Sequence, residues 1–180
     1  HISRGMYYRL ALPSLALQDR ILYLDCDIIV RGDIYPLLRA DLGERPVGAV
    51  VNPFYNATNI GFDSTDLYFN SGVLLIDRRK WIKLNVSELT LKFLVENTDS
   101  LVMPDQDALN GVLRGNWQEL HPTFNCQTSM FIRHEDLAAE LAGRWDTNFL
   151  DDPVIVHFYS SHKQWHPPCR LKYARDYRKL

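Results

Sequence analysis

Cysteine is scarce, scattered and odd in number: Cys26, Cys126 and Cys169 are the only three. They form no CxxC pair, which excludes a disulfide framework or a zinc knuckle and makes a reducing, cytoplasmic compartment the expectation. An excess of charge of one sign is lacking too. Lys and Arg number 20 against 22 Asp and Glu, a net charge of −2, so no basic field is available to hold nucleic acid. No apolar run approaches the roughly 20 residues that span a bilayer. Attachment of a longer parent to the inner face of a membrane is left open, as is the oligomeric state. Repeats, low-complexity tracts and linkers are missing, so one domain is read over 1–180. No signal peptide accompanies the sequons at Asn56 and Asn85, which are read as incidental. Neither an initiator Met nor a strand precedes the first helix-like segment, so the expectation is a chain lacking its front.

What is present reads as an ordinary globular domain, 46% hydrophobic and 23% charged. Ser3 predicts an N-cap for a helix carrying Met6 and Leu10, which Pro13 interrupts or restarts. Short apolar runs at 20–24, 47–51, 72–76 and 154–157 predict strands. Helices are predicted over 78–82 with Asp77 as cap, 86–96, 105–113 behind Pro104, and 135–141. Strands alternating with helices predict an α/β fold with a mostly parallel sheet. In such sheets ligands gather beyond the strand ends, which singles out Asp25-Cys26-Asp27, Asn70-Ser71 and His157.

Each candidate has a plain reading beside the chemical one. Asp25 and Asp27 could terminate a strand and cap a turn, or present carboxylates to a hard cation such as Mn²⁺ or Mg²⁺. His157 could be a satisfied structural histidine; with carboxylates nearby, an imidazole also suits Mn²⁺. Lys163 alone reads as a solvated lysine, although a mobile point charge also suits a diphosphate. His162 and His166 read as surface residues and Trp165 as packing. Asp105 reads as a helix N-cap, Asp107 as a first-turn acid favoured by the helix dipole, and Asn70 as a turn residue.

Four segments occur in order: Leu22-Tyr-Leu-Asp-Cys-Asp-Ile-Ile-Val30, Tyr68-Phe-Asn-Ser-Gly-Val-Leu-Leu-Ile-Asp77, Asp105-Gln-Asp-Ala-Leu-Asn110 and His157-Phe-Tyr-Ser-Ser-His-Lys-Gln-Trp165. This set resembles glycosyltransferase family 8, the group of bacterial lipopolysaccharide galactosyl- and glucosyltransferases related to glycogenin. The resemblance implies a GT-A fold whose first βαβ unit, the one that holds uridine, would lie before His1. It implies transfer of a hexose from a UDP-sugar to a saccharide or glycolipid acceptor, with retained anomeric configuration and Mn²⁺ or Mg²⁺ as cofactor. It further implies Asp25, Asp27 and His157 as metal ligands, and the Cys26 backbone near the nucleotide. Lys163 would contact the diphosphate, Arg9, Asn70 and Asp105 the donor sugar, and Gln106 would lie beneath the anomeric carbon. Ser160 and Gln164 stand where the family's last motif has Gly and Pro, and Asn52 stands where bacterial members often have Asp near the acceptor.

Two rival readings come from other classes. A haloacid dehalogenase-like phosphatase would use Asp25 as nucleophile and Asp27 as acid/base, with Asp151-Asp152 as a faint second acidic motif. A non-catalytic sugar-nucleotide-binding protein would hold UDP without consuming UDP-sugar. On the reading of a missing front, the chain by itself is expected to bind UDP weakly, turn over no sugar and aggregate.

Overall fold

The computed structural model describes residues 7–141, 143–159, 163, 165 and 172–177. In chain order the helices and strands are α1 (Tyr8–Leu15), β1 (Arg20–Leu24), β2 (Ile28–Val30), α2 (Tyr35–Leu38), β3 (Val47–Val51), β4 (Phe69–Asp77), α3 (Arg78–Lys83) and α4 (Val86–Glu96). There follow α5 (Pro104–Leu113), β5 (Gln118–Glu119), β6 (Cys126–Gln127), α6 (Thr128–Ile132), α7 (His134–Glu140), β7 (Ile155–His157) and α8 (Ala174–Tyr177). Ser3 and Met6, Ser160, His162, Gln164, His166 and Cys169 lie outside the described residues.

The strands form two sheets, ordered β1-β4-β3-β5 and β2-β7-β6. The expectation of a mostly parallel sheet is corrected. β4 runs antiparallel to both β1 and β3, and β2 runs antiparallel to β7; only β3–β5 and β6–β7 are parallel among the described strands. The physical reason is that an apolar run reports burial on both faces and not the direction of its neighbours. Phe69 to Ile76 are all buried, so β4 has the unbroken apolar character expected of a central strand whatever its direction.

That reversal assembles the site. Because β4 is antiparallel to β1, its beginning lies beside the end of β1: Leu24 pairs with Val73, and Asp25 N–H donates to Gly72 O at 2.8 Å. Asn70 and Ser71, expected just before the strand, are inside it. On the other side, register with β3 jumps from Ala49–Leu74 to Val50–Asn70, so Ser71, Gly72 and Val73 bulge out of that ladder. A bulge of this kind re-aims side chains and releases backbone groups from pairing.

The helices follow local rules with one exception. Asp77 caps α3, accepting from Lys80 N at 3.1 Å, as read from sequence. α4 buries Val86, Thr90 and Leu94, one stripe at i, i+4 and i+8. α1 runs through Pro13 to Leu15 and is held by Ser87 Oγ on Leu10 O and Arg78 Nε on Pro13 O. The exception is α5, where Asp105 is not the N-cap. Met103 occupies that position, and Asp107 Oδ2 accepts the N–H groups of Val102 and Met103 at 2.8 and 3.0 Å. α5 is therefore free to bury Asp105 to Asn110 against β4 and the site.

Candidate active site

Asp25 follows β1 and Asp27 precedes β2, so the acidic turn joins the two sheets. Each acid commits one oxygen to a neighbouring group. Asp25 Oδ1 accepts from Arg9 Nη2 at 3.0 Å and Tyr23 Oη at 2.6 Å. Asp27 Oδ2 pairs with Lys163 Nζ, which also donates to Phe158 O at 3.2 Å. The remaining oxygens, Asp25 Oδ2 and Asp27 Oδ1, stand 3.8 and 3.2 Å from His157 Nε2. Burial alone pushes the Asp27 carboxyl up, but the contact with His157, when its ring carries a proton at Nε2, and the hydrogen bond and charge of Lys163 outweigh it and hold it well below the usual range.

His157 is brought here by β7, whose pairing with β2 sets Ile28 opposite His157. The ring is buried and contacts Asn125 Oδ1 through Nδ1 at 3.1 Å. Gly72 makes room for it. A Cβ on Gly72 would overlap His157 Cε1 and lie 2.8 Å from Asp25 Oδ2, so the close approach of β4 to the acids requires glycine.

A donor set of two carboxylates and one imidazole fits a divalent cation. Asp25, Asp27 and His157 offer ligand atoms within 4.8 Å of one another, a spacing that a small contraction closes around an ion with ligands at about 2.1 Å. Among the described residues no other such group of His, Cys, Asp or Glu occurs.

The second half of the site hangs on Arg9 and α5. Buried Arg9 reaches Asp25 at 3.0 Å and Asp105 at 3.2 Å, with its Nη1 on Ser71 O at 2.7 Å. Burial pushes the Asp105 carboxyl up; the charge of Arg9 opposes that, and the charge of Asp25 adds to it. Gln106 is held at both ends of its amide. Oε1 accepts from Ser71 N–H at 2.9 Å, while Nε2 donates to Tyr68 Oη and Met103 Sδ, each at 3.2 Å. Tyr68 in turn donates to Asp107 Oδ1 at 2.5 Å. Asp107 thus anchors the start of α5 and the tyrosine that orients Gln106. Two buried donors of the site have no partner among the described residues: Asn70 Nδ2 and Arg9 Nε. An unpaired buried donor is costly, and a ligand with oxygen acceptors would relieve it. Beside this network opens a cavity of about 620 Å³, lined by Asn52, Phe54, Tyr55, Phe62, Tyr68 and Arg133 among others.

Arg9, Asp25, Asp27, Asn70, Asp105, Gln106, His157 and Lys163 are therefore joined in one continuous set of contacts. Cys26 stands exposed between the two acids. Ser71 is singled out beside Asn70 by its place at a strand end, whereas Tyr68, Gly72 and Asn125 escaped sequence reasoning. The first two lie inside the segment that carries Asn70 and could have been found there. For Asn125, an asparagine before a two-residue strand gives no signal. Asp152, the faint phosphatase acid, sits at the surface on Arg31 at 3.0 Å. Asp25 Oδ1 is already engaged by Arg9 and Tyr23, which ill suits a nucleophile.

The chain is 34% identical to "General stress protein A" of Bacillus subtilis over 184 residues, covering 98% of this chain and 64% of that protein. It is 30% identical to the lipopolysaccharide 1,2-glucosyltransferase of Escherichia coli K12, covering 91% of this chain and 50% of the relative. The crystal structure of the galactosyltransferase LgtC, in complex with donor and acceptor sugar analogues, superposes with a TM-score of 0.82 at 29% identity. That match covers 99% of this chain and 66% of LgtC. The chain thus has the GT-A-type architecture of LgtC while spanning half to two thirds of the length of these relatives. The sequence profile described as Glycosyl transferase family 8 matches residues 1–169, and the chain belongs to that family.

Proposed function

We propose that this chain carries the metal-, diphosphate- and donor-sugar-binding part of a retaining glycosyltransferase that moves a hexose from a UDP-sugar to a saccharide or glycolipid acceptor. The observation that carries the reading is the convergence of Asp25 Oδ2, Asp27 Oδ1 and His157 Nε2 on one point. Asp25, Asp27 and His157 would hold Mn²⁺ or Mg²⁺. When bound, such an ion acts as a Lewis acid toward the charge that develops on a leaving diphosphate.

The chain's own residues do the rest. Lys163, already at Asp27, is placed to exchange part of that pairing for a phosphate oxygen and add positive charge. The unpartnered Asn70 Nδ2 and the Arg9–Asp105 pair supply a donor and an acceptor for sugar hydroxyls. Gln106 is a neutral amide fixed at both ends, and so a poor nucleophile. A glycosidase-like double displacement would need a free carboxylate about 5 Å from an acid; Asp105 is instead tied to Arg9. A front-face route follows, in which the leaving phosphate takes the proton of the incoming hydroxyl while the Gln106 dipole steadies the oxocarbenium-like centre. The cavity beside Asn52 and Tyr68, with aromatic walls and polar groups, suits the acceptor saccharide.

The test is UDP release from UDP-glucose and UDP-galactose by the full-length protein that contains this chain, with Mn²⁺ or with a chelator. Asp25→Asn and Asp27→Asn should each abolish metal-dependent turnover while the protein stays folded. Full activity in both variants would overturn the metal assignment. UDP bound without consumption of any UDP-sugar would point to a binding protein instead.

A further inference from the structure

The hydrogen bonds around His157 have a direction that can be traced from a backbone group outward. Gly72 N–H, which faces β1 just beyond the last ladder pair Leu24–Val73, can only donate, and it donates to Asn70 Oδ1 at 3.0 Å. The same oxygen lies 2.9 Å from Asn125 Nδ2, so the Asn125 amide nitrogen must face Asn70. That turns Asn125 Oδ1 toward His157 Nδ1 at 3.1 Å. A carbonyl oxygen cannot donate, so Nδ1 carries the hydrogen. In the neutral ring Nε2 is then a bare lone pair, aimed between Asp25 Oδ2 and Asp27 Oδ1.

Three acceptors converging with no hydrogen between them repel one another; a cation at their centre turns the same arrangement into a ligand set. The alternative polarity, with Asn125 flipped, would set its Oδ1 against Asn70 Oδ1 and its Nδ2 against Nδ1. The ring would then bond Nδ2 through an Nδ1 lone pair and place its only hydrogen at Nε2, where a metal must bind.

We infer that Asn125 is a positioning residue for the metal centre: its amide, oriented from Gly72 through Asn70, holds His157 as the Nδ1–H tautomer with Nε2 free to coordinate. The inference rests on the proposed metal site, but it makes a claim about the metal-free protein that can be read separately.

The experiment uses protein labelled with ¹⁵N-histidine, free of metal at pH 8, with Asn125→Leu and Asn125→Asp as variants. In the wild type the His157 ring, identified by loss of its signals in His157→Gln, should show a hydrogen-bonded, slowly exchanging Nδ1–H. Asn125→Asp keeps the acceptor and should keep that signal; Asn125→Leu should lose it. Calorimetric Mn²⁺ titrations should show affinity about 10- to 100-fold weaker for Asn125→Leu, with most of it regained in Asn125→Asp even though its second oxygen, set against Asn70 Oδ1, lowers the melting temperature. A wild-type ring protonated at Nε2 alone would overturn the inference, whether or not the leucine variant folds. So would equal Mn²⁺ affinity in wild type and a folded Asn125→Leu. A wild type that binds no Mn²⁺ but shows the Nδ1–H would sink the metal reading while leaving the tautomer in place.

Discussion

A methyl group added at Gly72 would overlap His157 Cε1 and sit 2.8 Å from Asp25 Oδ2 and His157 Nδ1. The backbone there is not in the left-handed region, so glycine is required for space and not for its conformational freedom. Overpacking of this kind costs about 1–3 kcal/mol, and here the strain falls on two candidate metal ligands. Gly72→Ala should therefore lower stability by that amount and weaken Mn²⁺ binding disproportionately. Denaturant melts alongside Mn²⁺ titrations check both; a variant with lowered stability and native Mn²⁺ affinity would show that the ligands relax without consequence. At this scale the acids, His157 and Gln106 were legible in the sequence as a pattern of residue types. Their partners were not. Asn125 contacts residues 55 positions before it and 32 after it, separations that no local pattern encodes.

At the scale of elements, Asp77 ends β4 and starts α3 in one residue, pairing with Arg20 in the ladder and capping with its side chain. Burial pushes its carboxyl up, but the backbone N–H and charge of Lys80 outweigh that and hold it below its ordinary value of 3.8. A lowered folded value means that the charged cap stabilises fully above the ordinary value and loses its effect as pH falls through the folded one. Asp77→Ala should cost about 1 kcal/mol near neutrality, and the gap from wild type should narrow below about pH 4. Urea melts across pH 3–7 would show it; a gap that widens on acidification would contradict the assignment. The cap, α4 and the apolar strands could be read locally because capping and periodicity act within a few residues. Strand direction could not, because β1 and β3 receive β4 between them only once the sheet has formed.

For the whole molecule, the acidic turn is where the two sheets meet: Asp25 leaves one, Asp27 enters the other, and His157 ends a strand of the second. A cation bound there would cross-link the sheets. Mn²⁺ at about 100 times its dissociation constant should raise the unfolding free energy by about 2.7 kcal/mol, reversibly with chelator, and Asp27→Asn should abolish the shift. Calorimetric melts with and without Mn²⁺ measure it, and an unchanged midpoint in the wild type would argue against a site that spans both sheets.

The sequence by itself determined which apolar segments are buried, the Asp77 cap and the span of α4, and which residues carry charge at strand ends, because burial, capping and residue chemistry are local properties. Only the tertiary structure decided that β4 runs against its neighbours, that its bulge leaves Ser71 N–H to orient Gln106, and that Gly72 N–H, past the end of the β1 ladder, orients His157 through Asn70 and Asn125. Those outcomes depend on register and direction between segments far apart in the chain, and the same apolar pattern is compatible with more than one of each.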